Sequence, residues 1–517
     1  MKNLTNILKS LMLLAILFLC FASCKEENKT PEIKKETTYN LATEVEAPCL
    51  SQSNWFPHSQ TPAPEEGKGS PFDVSETTNC IFHQWSWQKF LWITKPDGDS
   101  PLFLNQQQII QVADNMTVVA QQEDAKVVLV DIEQAGSANG VLKTNPEYNA
   151  TVNQEYTVHY SIHASEVMLT AANQFKADLA TGVLKENNFA TFPVGSLELK
   201  ASWVNVDAIP LSKRTNYFTT MSALSNDGGK TFTNTIVALL GMHVVGVVEN
   251  HPEFIWATFE HNDIAPNYDW KANEANTATE KLLFSKGSTT GIDGITYVKG
   301  VGPKTAHKAF DLFQYGIPLD STGNPMTASQ SEPKNLNNIK EINKSVASNL
   351  KDVWANYFYN GSIWLDTDNM NAQQQAELIV SLAKTFKTGS AVVGSKTRGS
   401  LNNSNVSMET FTQTFQDDIS EINVSNLANC FSCHSGANFS TTTSYSPIYL
   451  SHIFDAYIKS ENEGKTKKEP TIRIIYNDYK MISFQSNSLK NKQWKSLMHL
   501  LKEKNVNIVD ELFYELD

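Results

Sequence analysis

The chain has 517 residues, 41% hydrophobic and 10% aromatic, the composition of a globular body with a substantial core rather than a disordered or fibrous chain. Its 55 acidic and 42 basic residues leave a net charge of −13. Neutralising a nucleic-acid backbone needs a basic patch, and the short run Lys465 to Lys468 reads as a solvated loop, so nucleic acid is excluded as a partner.

At the N-terminus, Lys2 and Lys9 precede an apolar run from Leu11 to Phe21. This is the layout of a secretory signal, and it is too short to span a bilayer. The run ends Phe21-Ala22-Ser23-Cys24, which resembles the lipobox of bacterial lipoproteins, with Phe21 where leucine is usual. The resemblance implies a lipoprotein signal peptide over 1–23 and a lipidated Cys24 that ties the chain to a lipid bilayer. The alternative is a plain secretory signal cut near Ser23. Lys25-Glu26-Glu27 resembles the export signal of some surface lipoproteins, which implies anchoring to the outer membrane on its periplasmic or cell-surface side. Residues 24–48 are mostly Lys, Glu, Asn, Thr and Pro and read as a tether, because they cannot bury a core.

The globular body is expected to start near Cys49. Ile81, Trp85 and Trp92, broadened by Phe82 and Phe90, fall at helical spacings and predict a helix. From about Met116 to Phe259 the chain turns to β-branched and aromatic segments of strand length. The predicted strands are Lys126 to Ile132, Tyr156 to Ile162, Leu197 to Val206, Thr235 to Glu249 and Glu253 to Glu260. Asn250-His251-Pro252 is a turn signal between the last two and predicts an antiparallel hairpin. From roughly 267 to 335 the sequence is rich in Gly, Pro, Asn and Thr and reads as mostly irregular. Ile339 to Tyr359, Ala372 to Phe386 and Leu489 to Glu503 carry apolar residues at helical spacing.

Cys430-Phe431-Ser432-Cys433-His434 has the Cys-x-x-Cys-His spacing of a c-type haem attachment motif. The chemistry needs both thiols, each adding to a haem vinyl group. It also needs a histidine four residues after the first cysteine, on the same helical face, as proximal iron ligand. A structural zinc site would want four ligands and a second close pair, which the sequence lacks. A thioredoxin-like dithiol would want a βαβ setting that the flanking segments do not show. The cofactor expected is therefore haem c. The predicted fold class is α+β: a β-rich domain over 49–335 with an N-terminal helix, then a mainly helical haem-binding region over 336–517.

Haem attachment outside the cytoplasm agrees with an exported chain and accounts for most cysteines. Cys20 leaves with the signal, Cys24 takes lipid, and Cys430 and Cys433 take haem. Cys49 and Cys80 remain and are expected to form a disulfide, two buried thiols being the alternative. For a distal iron ligand Met481 is placed suitably, ahead of Met498, Met408, His452 and His499; a methionine on an apolar face also serves as core filling. A second concentration of polar groups lies in the hairpin, at His243, His251, Glu260 and His261. They read either as a proton-handling or metal site or as hydrogen-bonded residues of a β core.

Beyond the motif, Pro193 to Trp203, Phe254 to His261 and Ser407 to Phe411 resemble bacterial c-type cytochrome-like proteins over roughly residues 80 to 440. The resemblance implies haem binding by Cys430, Cys433 and His434 and leaves the substrate open. Three readings follow: an anchored monohaem cytochrome relaying electrons to a redox partner protein, a haem oxidoreductase with an open iron position, and a surface binding lipoprotein whose haem is structural.

Overall fold

The computed structural model describes residues 47–132, 141–290, 297–298, 302–303, 310–314, 316, 319, 322–324, 334–382, 396–400, 403–409, 429–436 and 445–460. Its centre is a nine-stranded sheet. The strands are β1 (Ile109–Val112), β2 (Val127–Leu129), β3 (Val158–Ser165), β4 (Leu197–Asn205), β5 (Thr219–Leu224), β6 (Thr233–Val248), β7 (His251–His261), β8 (Tyr357–Leu365) and β9 (Thr397–Gly399). The main path runs β9-β8-β7-β6-β4-β3-β1, antiparallel at every step. Strand β5 pairs with the first half of β6, and β2 runs parallel to β5. The β6–β7 hairpin turns at Asn250, whose φ of 60° is a left-handed conformation that asparagine tolerates.

Two core layers cover the two faces. On one face lie helices α1 (Asn79–Thr94) and α3 (Asn335–Asn349). Leu199, Ala201, Trp203, Met242, Val244, Ala257, Phe259 and Trp364 meet Phe82, Trp87, Phe90, Ile342 and Val346 there in one buried cluster. Helix α1 has no exposed residue because it is enclosed on both sides, by the sheet and by α3, and its buried Asn79, His83, Ser86, Lys89 and Thr94 all carry polar groups. Gly246 lets it approach: a Cβ there would lie 2.8 Å from the Trp85 ring. Phe90 stacks on Phe259 with centroids 4.0 Å apart, and Phe82 on Trp364 at 4.1 Å. A disulfide joins Cys80, in α1, to Cys49, with Cα atoms 5.5 Å apart.

The opposite face carries helices α2 (Glu166–Thr181), α4 (Ala372–Leu382), the short α5 (Cys430–Cys433) and α6 (His452–Ser460). Met168, Ala172, Ile379, Phe431, Leu450 and Phe454 pack there on Ile162, Val245, Trp256 and Ile363. Sequence periodicity does not announce α2. Its signals are caps: the Ser165 hydroxyl accepts from the Met168 amide, and Gly182 ends the helix at φ 74°. Among the described residues no helix is long and apolar enough to cross a membrane.

The expectation of a mainly helical haem region after residue 336 is overturned. Strands β8 and β9 belong to that stretch and complete the sheet, β8 pairing with β7 from Tyr357 opposite His261 to Ile363 opposite Trp256. The described part is therefore a β-rich sheet with helices on both faces. The physical reason lies in Tyr357-Phe358-Tyr359-Asn360-Gly361-Ser362-Ile363-Trp364-Leu365. Helical spacing from Ile339 runs on into it through Trp354 and Tyr357, but α3 stops at Asn349. Past that point, aromatic and β-branched residues pair with the edge of β7.

Candidate functional site

Alternation along the strands decides which side chains reach the Cys-x-x-Cys-His segment. In β4 the residues Leu197, Leu199 and Ala201 point to the α1 side, so Glu198, Lys200 and Ser202 point to the other. Lys200 stands opposite His243 of β6, and His243 opposite Thr258 of β7. Glu198, Lys200, His243, Val245 and Trp256 thus share the face on which α5 lies.

The 403–409 segment docks on this face by polar contacts. The Asn405 amide group donates to Thr258 Oγ1 at 3.0 Å and to the Phe259 carbonyl at 3.1 Å. The Val406 N–H donates to Glu260 Oε1 at 2.9 Å, and the Ser407 and Ser202 hydroxyls lie 2.6 Å apart. Gly241 makes room, since a Cβ there would lie 2.6 Å from the Asn405 side chain. The segment delivers Glu409 to His243, with Oε1 2.7 Å from Nε2. Burial opposes ionisation of Glu409, but His243, Lys200 and the Asn405 amide together hold its carboxyl below the usual range.

Helix α5 is one turn, closed by the His434 N–H donating to the Cys430 carbonyl at 2.7 Å. Cys430 is a half-buried thiol, and Phe431 is buried in the core of this face. The His434 ring packs against Trp256, centroids 4.2 Å apart, and stacks on His452 at 3.7 Å with 14° between planes. Its Nδ1 is 2.8 Å from the Leu450 carbonyl oxygen. A carbonyl only accepts, so Nδ1 carries the proton and Nε2 keeps its lone pair. Burial is the largest effect pushing the imidazole down to about 4, with Lys200 and His243 adding to it and the Leu450 carbonyl and Glu409 opposing. His434 is therefore a neutral imidazole whose second nitrogen is available as a donor.

That donor set fits a c-type haem: a thiol at Cys430, a cysteine at Cys433, and one turn later an imidazole held in the ligating tautomer by a backbone carbonyl. Among the described residues no group of three or more His, Cys, Asp and Glu is placed to hold a bare metal ion. No known protein family, curated protein or solved structure matches the chain.

The remaining candidates separate. His243 joins the site, whereas Glu260 and His261 do not. Glu260 is fully buried under the 403–409 segment, accepts from Gln314 Nε2 at 2.7 Å, and is pushed by burial up to about 8. His261 stacks on Tyr217 at 3.5 Å and donates from Nε2 to the Asn216 carbonyl; burial lowers it to about 4. His251 is buried, 2.9 Å from Glu253, in the core beside Phe82. Met408 is core filling beside Tyr160 and Leu240. Cys24, Met481, Met498 and His499 lie outside the described residues. Glu198, Lys200, Trp256 and Glu409 belong to the site although the motif does not name them. For Glu198 and Lys200 the signal was the polar alternation Leu197-Glu198-Leu199-Lys200-Ala201, in a strand buried on its other side.

Proposed function

We propose that this chain is a membrane-anchored monohaem protein of c type that transfers electrons outside the cytoplasm. Cys430 and Cys433 hold the haem covalently, His434 provides the proximal nitrogen, and Cys24 carries the lipid anchor. The observation that supports this most directly is the Nδ1–H bond from His434 to the Leu450 carbonyl, which selects the tautomer a metal ligand needs. Bound haem supplies one-electron exchange at its iron. The chain's own part is to keep the imidazole neutral by burial, to fix its plane with Trp256 and His452, and to raise its basicity through the Leu450 bond. Met481 is the proposed distal ligand, and the electron donor or acceptor is a redox partner protein.

A second reading, a haem oxidoreductase with an open distal position, draws on one observation. His243, Glu409 and Glu198 stand beside the His434 segment, and such groups handle protons.

The visible spectrum of the protein, purified after co-expression with a haem-attachment system, tests both. A covalent low-spin spectrum indifferent to carbon monoxide is expected, with carbon monoxide binding appearing in Met481→Ala. A high-spin, carbon-monoxide-binding spectrum of the unaltered protein moves the function to the oxidoreductase. A chain without covalent haem overturns both.

A further inference from the structure

Helices α1 and α3 lie side by side in parallel. Asn338 Nδ2 donates to Asn79 Oδ1 at 2.6 Å near their N-terminal ends, and Trp87 Nε1 donates to Asn343 Oδ1 at 2.8 Å halfway along. One turn from the first of these contacts, on the same helix faces, stand His83 of α1 and Asn335, the first residue of α3. Both are fully buried. Asn335 lies close enough to act on His83. Yet Asn335 Nδ2 and Oδ1 and His83 Nε2 have no hydrogen-bond partner among the described residues. We infer that a single water molecule is bound between His83 and Asn335 and closes a hydrogen-bonded chain from β8 through α1 to α3.

The chemistry of the site selects the ligand. The Tyr359 hydroxyl donates to Ser362 Oγ at 2.5 Å. Its one proton is then committed, so it accepts from the Nδ1–H of His83, 2.7 Å away. Burial pushes His83 down to about 3 and keeps the imidazole neutral. It therefore carries a single N–H, and Nε2 presents a lone pair. Asn335 adds a second acceptor, Oδ1, and the two N–H donors of Nδ2.

The bound group must donate to His83 Nε2 and Asn335 Oδ1 and accept from Asn335 Nδ2. Water does all three within the volume of one oxygen atom, and buried waters make about three such bonds. A halide or other simple anion only accepts. A metal ion is disfavoured because no group of three or more His, Cys, Asp and Glu among the described residues is placed to hold one. Trp364 of β8 stands edge-on to His83, centroids 5.7 Å apart, and its Nε1–H is likewise without a partner. It adds a donor on the β8 side.

The site lies on the sheet face away from the Cys-x-x-Cys-His turn, so the inference is independent of the haem reading. The test is a high-resolution crystal structure of the full-length protein. A single-oxygen peak is expected about 2.7–3.2 Å from His83 Nε2 and from an Asn335 side-chain atom. In solution, oxygen-17 relaxation dispersion counts long-lived buried waters, and Asn335→Leu is expected to lower that count by one. No peak at that position overturns the inference, whether or not the two side chains bond directly. A peak with the anomalous signal of chloride, or density larger than one atom, overturns it as well. So does an unchanged water count in Asn335→Leu; if that variant does not fold, the crystal structure of the unaltered protein decides alone.

Discussion

The two faces of the sheet are built from the same strands and put to different uses. Against α1 and α3 the face is closed with aromatic carbon, and stacked pairs such as Phe90 on Phe259 fill it. Against α5 and α6 the same strands offer Glu198, Lys200 and His243 beside Trp256, and the chain lays the Cys-x-x-Cys-His turn over them. Strand β4 shows the division within a few residues, since its odd-numbered positions from Leu197 to Trp203 are fully apolar and Glu198 and Lys200 are not. Period-two alternation lets one strand hold a rigid core and a charged site at once. The comparison teaches that the closed face fixes the position of the chemistry that the open face carries.

Breaking the attachment should affect the open face alone. Cys430→Ala with Cys433→Ala is expected to abolish covalent haem completely, with the sheet intact by circular dichroism; haem staining and the far-ultraviolet spectrum check both halves. On the closed face, Phe259→Ala should cost about 3–5 kcal/mol, the usual range for a buried aromatic, measured by urea unfolding. In molecules that still fold, haem attachment should persist.

Acid and alkali should also separate the residues of the sheet. His83 and His163 are pushed by burial to about 3, and His261 and His434 to about 4. An unfolded histidine titrates near 6.5, so the unfolded chain binds more protons below that pH and stability is lost on acidification. Glu198 and Glu260 run the other way. Their carboxyls are raised to about 7 and about 8, so the folded chain keeps protons that the unfolded chain releases, and stability falls as the pH rises from about 4.5 to 8. The urea midpoint of the haem-free protein is expected to peak at about pH 6–7. Glu260→Gln should lessen the alkaline decline. The smallest effect expected is that of Trp256→Phe, which keeps a ring against His434 but loses the indole N–H bond to the Glu253 carbonyl. It should lower stability by about 1 kcal/mol with haem still attached, read by urea unfolding and haem staining.

Local patterns made part of this legible. The Trp-rich run around Trp85 reads as a helix, the segments near Leu197 and Thr235 read as strands, and Asn250-His251-Pro252 reads as a turn. The proposed haem chemistry rests on the five residues of the Cys430 motif. Pairing did not show. Helical spacing from Ile339 onward conceals β8, because a strand between β7 and β9 is decided by the partners waiting there. Glu198 and Lys200, which stand roughly 230 residues from His434 in sequence, reach its segment only through the register of β4 on β6. Of the polar hairpin residues, register alone could tell that His243 faces the motif and His261 packs on Tyr217.

The pairing of β8 with β7 bears on how the protein is made. A chain that emerges N-terminus first presents β7 by residue 261, yet its outer row of N–H and C=O groups finds β8 only when residue 365 has followed. Helix α1 likewise waits for α3, more than 240 residues later, to cover its outer side. Contacts so distant in sequence form slowly, and an unpaired apolar edge recruits other chains. A nascent chain stopped between the two strands leaves that row of backbone groups unpaired, so the last hundred residues of the sheet decide whether the first part of it stays out of reach of other chains.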